Sequence, residues 1–352
     1  MTFLLSLAFV LGVLIFVHEL GHFITAKMVG IKVERFSLGF PPRAFGFQYG
    51  DTDYCISWVP VGGYVKMAGM IDETMDDTIT GASWEFASKP VWQRIIVISA
   101  GSFMNIVLAV VIYTGITYFT GLPHASETTA VGQVLNGTPA EAIGLQAGDV
   151  ITIVSGQTVD TWQDLTTILH ASPQVEVDLE WRRGDETMSA KVTPELQPDN
   201  KGRIGIAPIF DYRPATFSES LEHGVISSYT VLKMTAQVLK LILTGKESFR
   251  NAVGGPIAIA KFAGESAKRG FDVLLATTAL ISLNLAFFNM LPFPVLDGGH
   301  LVLLLIEGVM RKPLPSKTRL FIQKIGIAFL LALMVFILIN DVTRWRWGKL
   351  DF

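Results

Sequence analysis

The chain has 352 residues, half of them hydrophobic, and a formal net charge of −3. Its mean hydropathy of +0.44 is too apolar for an ordinary soluble protein and points to a membrane protein with a soluble insert. The near-neutral charge argues against a nucleic-acid partner, and Cys55, the sole cysteine, excludes an intramolecular disulfide.

The first apolar run, residues 3–25, is long enough to cross a hydrocarbon core, which takes about 20 helical residues. It lacks a basic n-region and is too long for an h-region, so it reads as a retained span within 1–26. Inside it stands His18-Glu19-Leu20-Gly21-His22. Residues four apart share a helix face, so His18 and His22 can grip one zinc ion, and Glu19 can take a proton from water. Such groups are costly inside a membrane segment and call for a functional reason. Lys27, Lys32, Arg35 and Arg43 follow, which by the positive-inside rule places the N-terminus outside and the zinc motif toward the cytoplasm.

Residues 27–94 read as a cytoplasmic or re-entrant β region and loop, in which 33–70 is rich in Gly and Pro, with strand-like pieces at 54–59 and 63–67 that predict a β-hairpin or small sheet. Two readings stay open. One is a cytoplasmic loop with some β character. The other is an edge strand beside the metal, holding an extended substrate by strand addition through Tyr64, Val65 and Lys66. Residues 71–89 read as an acidic, then polar, surface loop. A second span within 95–120 runs back outward, and Gly101 and Asn105 in it suggest close helix packing, with Asn105 as a packing hydrogen bond.

Residues 121–213 change character, with charges and short alternating strands. The pattern P-A-x-x-x-G-L-x-x-G-D-x-I from Pro139 to Ile151, and a hairpin around Arg183-Gly184-Asp185, resemble a PDZ domain. Such a domain implies either an extended chain end bound along a strand and a helix or a filter by size. Residues 214–270 predict amphipathic helices on the outer surface or in the interface. Residues 271–310 hold a third span, carrying Asn284 and Asn289, that breaks at Pro292 and Pro294 before Leu296-Asp297-Gly298-Gly299-His300. Residues 311–340 supply a basic loop and a fourth span, and 341–352 a tail. The predicted fold is thus a polytopic α-helical membrane protein of about four transmembrane helices, with a membrane-associated β-hairpin and an extracytoplasmic α+β PDZ insert.

A catalytic zinc needs a third protein ligand. His300 is one candidate. Asp297 is the other, because the inner ends of spans one and three reach the same depth and an unwound backbone can aim its carboxylate. Asp297 also suits the N-cap of the helix that follows.

The H-E-L-G-H motif, the N-x-x-P-x-P-x-L-D-G-G motif from Asn289 to Gly299, the PDZ insert and the V-G-G-Y-V-K-M stretch at Val61 to Met67 together resemble the site-2 protease family of intramembrane metalloproteases, in its bacterial RseP-like branch. The resemblance covers nearly the whole chain. It implies zinc on His18, His22 and Asp297, Glu19 as general base, and Asn289 and Asn284 on the substrate backbone. The 54–67 hairpin would then be a membrane-reentrant element that receives an unwound substrate. It further implies single-pass transmembrane substrates in the bacterial inner membrane, such as anti-sigma factors and signal-peptide remnants. Two features depart from the branch: one PDZ domain where tandem domains occur, and Gly101-Ser102-Phe103-Met104-Asn105 without the proline often found there. A metal transporter or sensor, or a silent PDZ scaffold, are the other classes these residues allow, although neither needs Glu19.

Overall fold

The computed structural model describes residues 2–70, 79–197, 200–252 and 254–346. Part of the acidic loop (71–78) and the end of the tail (347–352) lie outside the described residues. In chain order the helices and strands are α1 (Thr2–Met28), β1 (Val33–Tyr49), β2 (Thr52–Met67), α2 (Val91–Thr120), β3 (Leu122–Ala125), β4 (Val131–Val134), α3 (Pro139–Ala142), β5 (Val150–Val154), β6 (Gln157–Thr158) and α4 (Trp162–Ala171). Then come β7 (Val177–Arg183), β8 (Glu186–Val192), β9 (Glu195–Leu196), β10 (Gly202–Arg203), β11 (Ile206–Pro208), β12 (Phe210–Arg213), α5 (Phe217–Leu243), α6 (Phe249–Ala252), α7 (Pro256–Arg269), α8 (Phe271–Asn289), α9 (Asp297–Met310) and α10 (Ser316–Arg346). The chain divides into two units, Met1–Thr117 with Phe217–Phe352, and Tyr118–Thr216.

In the first unit, α1, α2, α8 and α10 are long and apolar enough to cross a membrane. Helices suit that environment because each satisfies its backbone groups internally. Helices α1 and α2 are antiparallel neighbours: His22 meets Val97, and His18 meets Asn105. Helix α8 joins them where Ser282 Oγ donates to the Asn105 carbonyl at 2.8 Å. At one end of the bundle, α7 lies across α1, α8 and α10. Gly264 abuts Phe3, Thr277 donates to Ser266, and the Asp341 carboxylate accepts from the backbone N–H of Gly255, Ile257 and Ala258. A carboxylate there satisfies the open N–H groups and the dipole of α7. Helix α5 packs on α2 and α8 through Thr117–His223 and Thr235–Asn284, while Phe217, Leu221, Val225 and Tyr229 stay exposed.

The opposite end is fastened by charge. The buried Glu307 of α9 accepts from Arg94 of α2 at 2.8 Å, from Arg319 of α10, and from the Leu314 backbone N–H at 3.0 Å. A carboxylate this buried is tolerable only when its oxygens are so occupied.

The sheet differs from the sequence expectation. The turn lies at Gly50 (φ +58) and Asp51, with Tyr49 opposite Thr52, so 54–59 and 63–67 belong to one bent strand. Pro60 and Gly62 (φ +93) interrupt β2 without reversing it. Residues 33–38 therefore pair with 63–67 on one side and 53–56 on the other, while 43–49 pairs with 52–57. The resulting order is 63–67, 33–38, 52–57, 43–49, with 63–67 as an outer segment. Its inner face joins Ala26, Ile31, Val33, Phe36, Val65 and Met67 to Val97 and Ile98 in one apolar cluster.

The second unit is built on the antiparallel sheet β6-β5-β7-β8, with the pairs β4–β11, β3–β12 and β9–β10. Its core holds Val131, Leu145, Ile151, Leu165, Leu179, Trp181 and Ile204. Helix α4 opens with a Thr161–Asp164 capping box, which satisfies two N–H groups reciprocally. The β7–β8 hairpin turns at Gly184 and Asp185, as the sequence predicts. Beside it, Arg183 donates to both oxygens of the buried Asp149 at 2.8 Å. Burial alone would raise that carboxyl's pKa. The Arg183 hydrogen bonds and the Gln146 N–H outweigh it and hold the group below the ordinary aspartate value. A depressed pKa contributes stability that is present above the unfolded pKa and lost as pH falls through the folded one. The unfolding temperature of the second unit is therefore expected to carry the full Asp149 contribution and to be insensitive to pH near neutrality, and to fall as pH drops below about 4. Arg183→Met should flatten that acid limb; an unchanged limb would remove Asp149 as its source.

Candidate metal centre

Three side chains from two distant stretches meet at one point. His18 Nε2 and His22 Nε2 lie 3.2 Å apart on α1. Asp297, the first residue of α9, places one oxygen 3.4 Å from His18 Nε2 and the other 3.6 Å from His22 Nε2. Among the described residues this is the group of donor atoms within 4.8 Å of one another that could hold a metal ion. His18 and His22 are only 8% and 7% exposed, so these are not solvated surface groups that happen to be near one another.

The local backbone explains why the carboxylate arrives there. Helix α8 stops at Asn289, and Pro292 and Pro294 lack the N–H groups that would continue it. The chain then turns tightly, with the Phe293 N–H on the Leu291 carbonyl and the Leu296 N–H on the Phe293 carbonyl. Val295 takes φ +82, unfavourable for a β-branched residue at about 1–3 kcal/mol. Gly298 and Gly299 follow; a Cβ on either would fall 2.1 Å from the Leu291 or Phe293 carbonyl oxygen. Only glycine lets α9 begin folded back against the break, and Asp297 is carried inward with it. Ser102 of α2 donates to Asp297 at 3.2 Å.

Two more glycines fix the approach of α1 to α2. A Cβ on Gly21 would lie 2.4 Å from the Ala100 carbonyl oxygen. A Cβ on Gly101 would lie 2.4 Å from His22 Nε2 and 2.8 Å from His18 Nε2. His22 Nδ1 sits 2.8 Å from the Val97 carbonyl, so that nitrogen carries the proton and Nε2 presents its lone pair inward.

Glu19 is adjacent to His18 on α1, beside the outer segment of the sheet. A Cβ on Gly63 would come within 3.3 Å of Glu19 Cγ and 2.8 Å of Ile15. In that segment Tyr64 and Val65 are buried; the Tyr64 hydroxyl accepts from Arg35 at 3.2 Å, and Lys66 pairs with Glu34 at 3.2 Å. Their side chains are thus occupied within the sheet. Asn284 accepts from Thr235 at 2.8 Å through its side-chain oxygen, and Asn289 ends α8 at the lip of the break. His300 lies one turn past Asp297 and lines a small cavity with Glu307, Arg319 and Gln323, outside the three-donor group. The sequence marks Gly101 for close helix packing but not its place against the two imidazoles, and it gives no sign of the role of Gly21.

Two imidazole nitrogens and a carboxylate fit a catalytic zinc ion, both in donor type and in number. The arrangement defines a metallopeptidase-type centre among membrane-length helices. Comparison with known proteins agrees. The model of peptidase family M50 matches residues 6–333. A relative in Clostridium perfringens that carries the name zinc metalloprotease is 36% identical over 329 residues, covering 94% of this chain and 95% of its own length. The regulator of sigma-W protease RasP of Bacillus subtilis is 31% identical over 412 residues, covering 95% of this chain and 97% of its own. The chain belongs to peptidase family M50, the site-2 protease family, and is a metalloprotease.

Gly101→Ala should drive the imidazoles apart and lower the zinc content of the purified chain, read by elemental analysis. Gly115→Ala in the same helix meets nothing within 4 Å and should leave zinc content unchanged.

Proposed function

We propose that this protein is an intramembrane endopeptidase that cleaves single-pass transmembrane proteins in the bacterial cytoplasmic membrane. The observation that carries the reading is the convergence of Asp297 on His18 and His22, with Glu19 beside them on α1, a helix long and apolar enough to cross a bilayer. His18, His22 and Asp297 would hold zinc, which when bound acidifies water and polarises a carbonyl. Glu19 takes the proton of the attacking water and delivers it to the leaving amine, so one carboxylate serves as base and then as acid.

A helical substrate hides its carbonyls in hydrogen bonds four residues back and must unwind before cleavage. The outer sheet segment carrying Tyr64, Val65 and Lys66 is the surface we assign to the unwound chain. Because the side chains there are engaged within the sheet, recognition rests on main-chain pairing, which is indifferent to substrate sequence. Asn289, together with the NH2 group of Asn284, would hold the substrate backbone on the other side.

The N-terminus lies outside and the zinc centre toward the cytoplasm in this reading, with the Tyr118–Thr216 insert as a single extracytoplasmic PDZ domain. The sigma-W regulator in the name of the Bacillus relative supports anti-sigma-factor-like substrates. Signal-peptide remnants have the same single-pass form. The insert would then exclude substrates whose outer domains have not been trimmed.

The test is cleavage of a reporter with one transmembrane helix by the purified chain in liposomes. Glu19→Gln should keep its zinc and lose at least about 100-fold in rate, the scale of a missing general base. His22→Ala and Asp297→Ala should lose zinc and activity together. Cleavage by Glu19→Gln at the natural rate would remove Glu19 from the mechanism.

A further inference from the structure

Asn105 is fully buried in α2, one turn past Gly101, and its side-chain nitrogen stands 3.4 Å from His18 Nδ1. Its side-chain oxygen is buried with no hydrogen-bond partner. The Ser282 hydroxyl, donating to the Asn105 backbone carbonyl, pins this turn of α2 to α8. An amide N–H donating to Nδ1 requires that nitrogen to be unprotonated, which puts the ring proton on Nε2. Yet His18 Nε2 is the atom that converges with His22 and Asp297. A neutral imidazole that gives Nε2 to a metal carries its proton on Nδ1 and needs an acceptor there.

The two ends of a carboxamide have nearly the same outline, so the chemistry of the partner decides which end faces it. A half-turn of the Asn105 amide sets its oxygen on the His18 Nδ1–H and moves its NH2 to the place the oxygen leaves. His22 shows the same arrangement with a different acceptor, since its Nδ1 faces the Val97 carbonyl at 2.8 Å.

We propose that Asn105 is a positioning residue for His18: its side-chain oxygen accepts the Nδ1–H, fixes the ring's tautomer and rotation, and leaves Nε2 for the metal. The rival acceptor is the Gly101 backbone carbonyl, which also reaches His18. Outer partners of this kind are worth about 10- to 100-fold in metal affinity. The proposal rests on the metal reading of His18, His22 and Asp297.

The experiment measures the zinc dissociation constant of the full chain in detergent, by competition with a chromophoric chelator, for the natural chain, Asn105→Asp and Asn105→Leu. Asn105→Asp keeps an acceptor and removes the donor; Asn105→Leu removes both at similar volume. Affinity should fall about 10- to 100-fold in Asn105→Leu and stay within several-fold, or tighten, in Asn105→Asp. Unfolding temperatures of the zinc-free chains, taken in parallel, separate lost packing from lost positioning. Natural affinity in Asn105→Leu would overturn the proposal in favour of the Gly101 carbonyl. If Asn105→Leu does not fold, Asn105→Asp decides alone, because tenfold weaker zinc there would show the amide N–H to be the partner. A natural chain that takes up no zinc would overturn the metal reading itself and this proposal with it.

Discussion

Where α1 and α2 touch, backbone meets backbone with almost nothing between. Lipid offers no hydrophobic drive for helices to associate, so close packing of small residues has to supply it. Gly21 lies against the Ala100 carbonyl, and Gly101 lies against both imidazoles. A methyl group at either place would wedge the seam open. Because the seam is closed, His18 and His22 lie buried along it, with the Val97 carbonyl of α2 against His22 Nδ1 and the Asn105 side chain of α2 against His18 Nδ1. Burial also strengthens the charge interactions made there.

The third arm of the centre depends on a second close approach. The break after α8 folds back only because Gly298 and Gly299 admit neighbouring carbonyls, and it holds Val295 in an unfavourable conformation. Such strain persists where surrounding structure over-determines it. Part of that restraint comes from the far end of α9. Glu307 is ten residues past Asp297, about 15 Å along the helix, and is locked between Arg94 and Arg319. Helix α9 is thereby tied to α2 and α10 at one end while its other end presents Asp297. Replacing the charged lock with apolar side chains could be neutral for stability, but breaking it by one partner leaves a charge stranded.

Much of this was legible in the sequence, for reasons that differ from part to part. Hydropathy and length find spans because a bilayer imposes one length scale and one backbone solution. The histidine spacing announces a shared helix face, and a proline pair announces a break. Tertiary approach is what sequence reading missed. Gly101 signals close packing and Gly21 signals nothing, and what each lies against is visible only once the partner helix is in place. The hairpin was misplaced because Pro60, Gly62 and Gly63 are good turn formers, while here they bend a strand whose two halves flank 33–38. The Arg94–Glu307 pair joins residues 213 apart, which no local pattern encodes. Asn105 read as a packing group because its nearness to His18 exists only in three dimensions.

The centre itself is the claim on which the rest hangs, and X-ray absorption at the zinc edge of the purified, zinc-loaded chain tests it most directly. The account predicts two imidazole nitrogens and a carboxylate oxygen at about 2.0–2.2 Å. The imidazole signal should stay at two in His300→Ala, while His22→Ala, which takes up no zinc, should give no bound-zinc spectrum. Three imidazoles in the natural chain, falling to two when His300 is removed, would contradict the account by replacing Asp297 with His300.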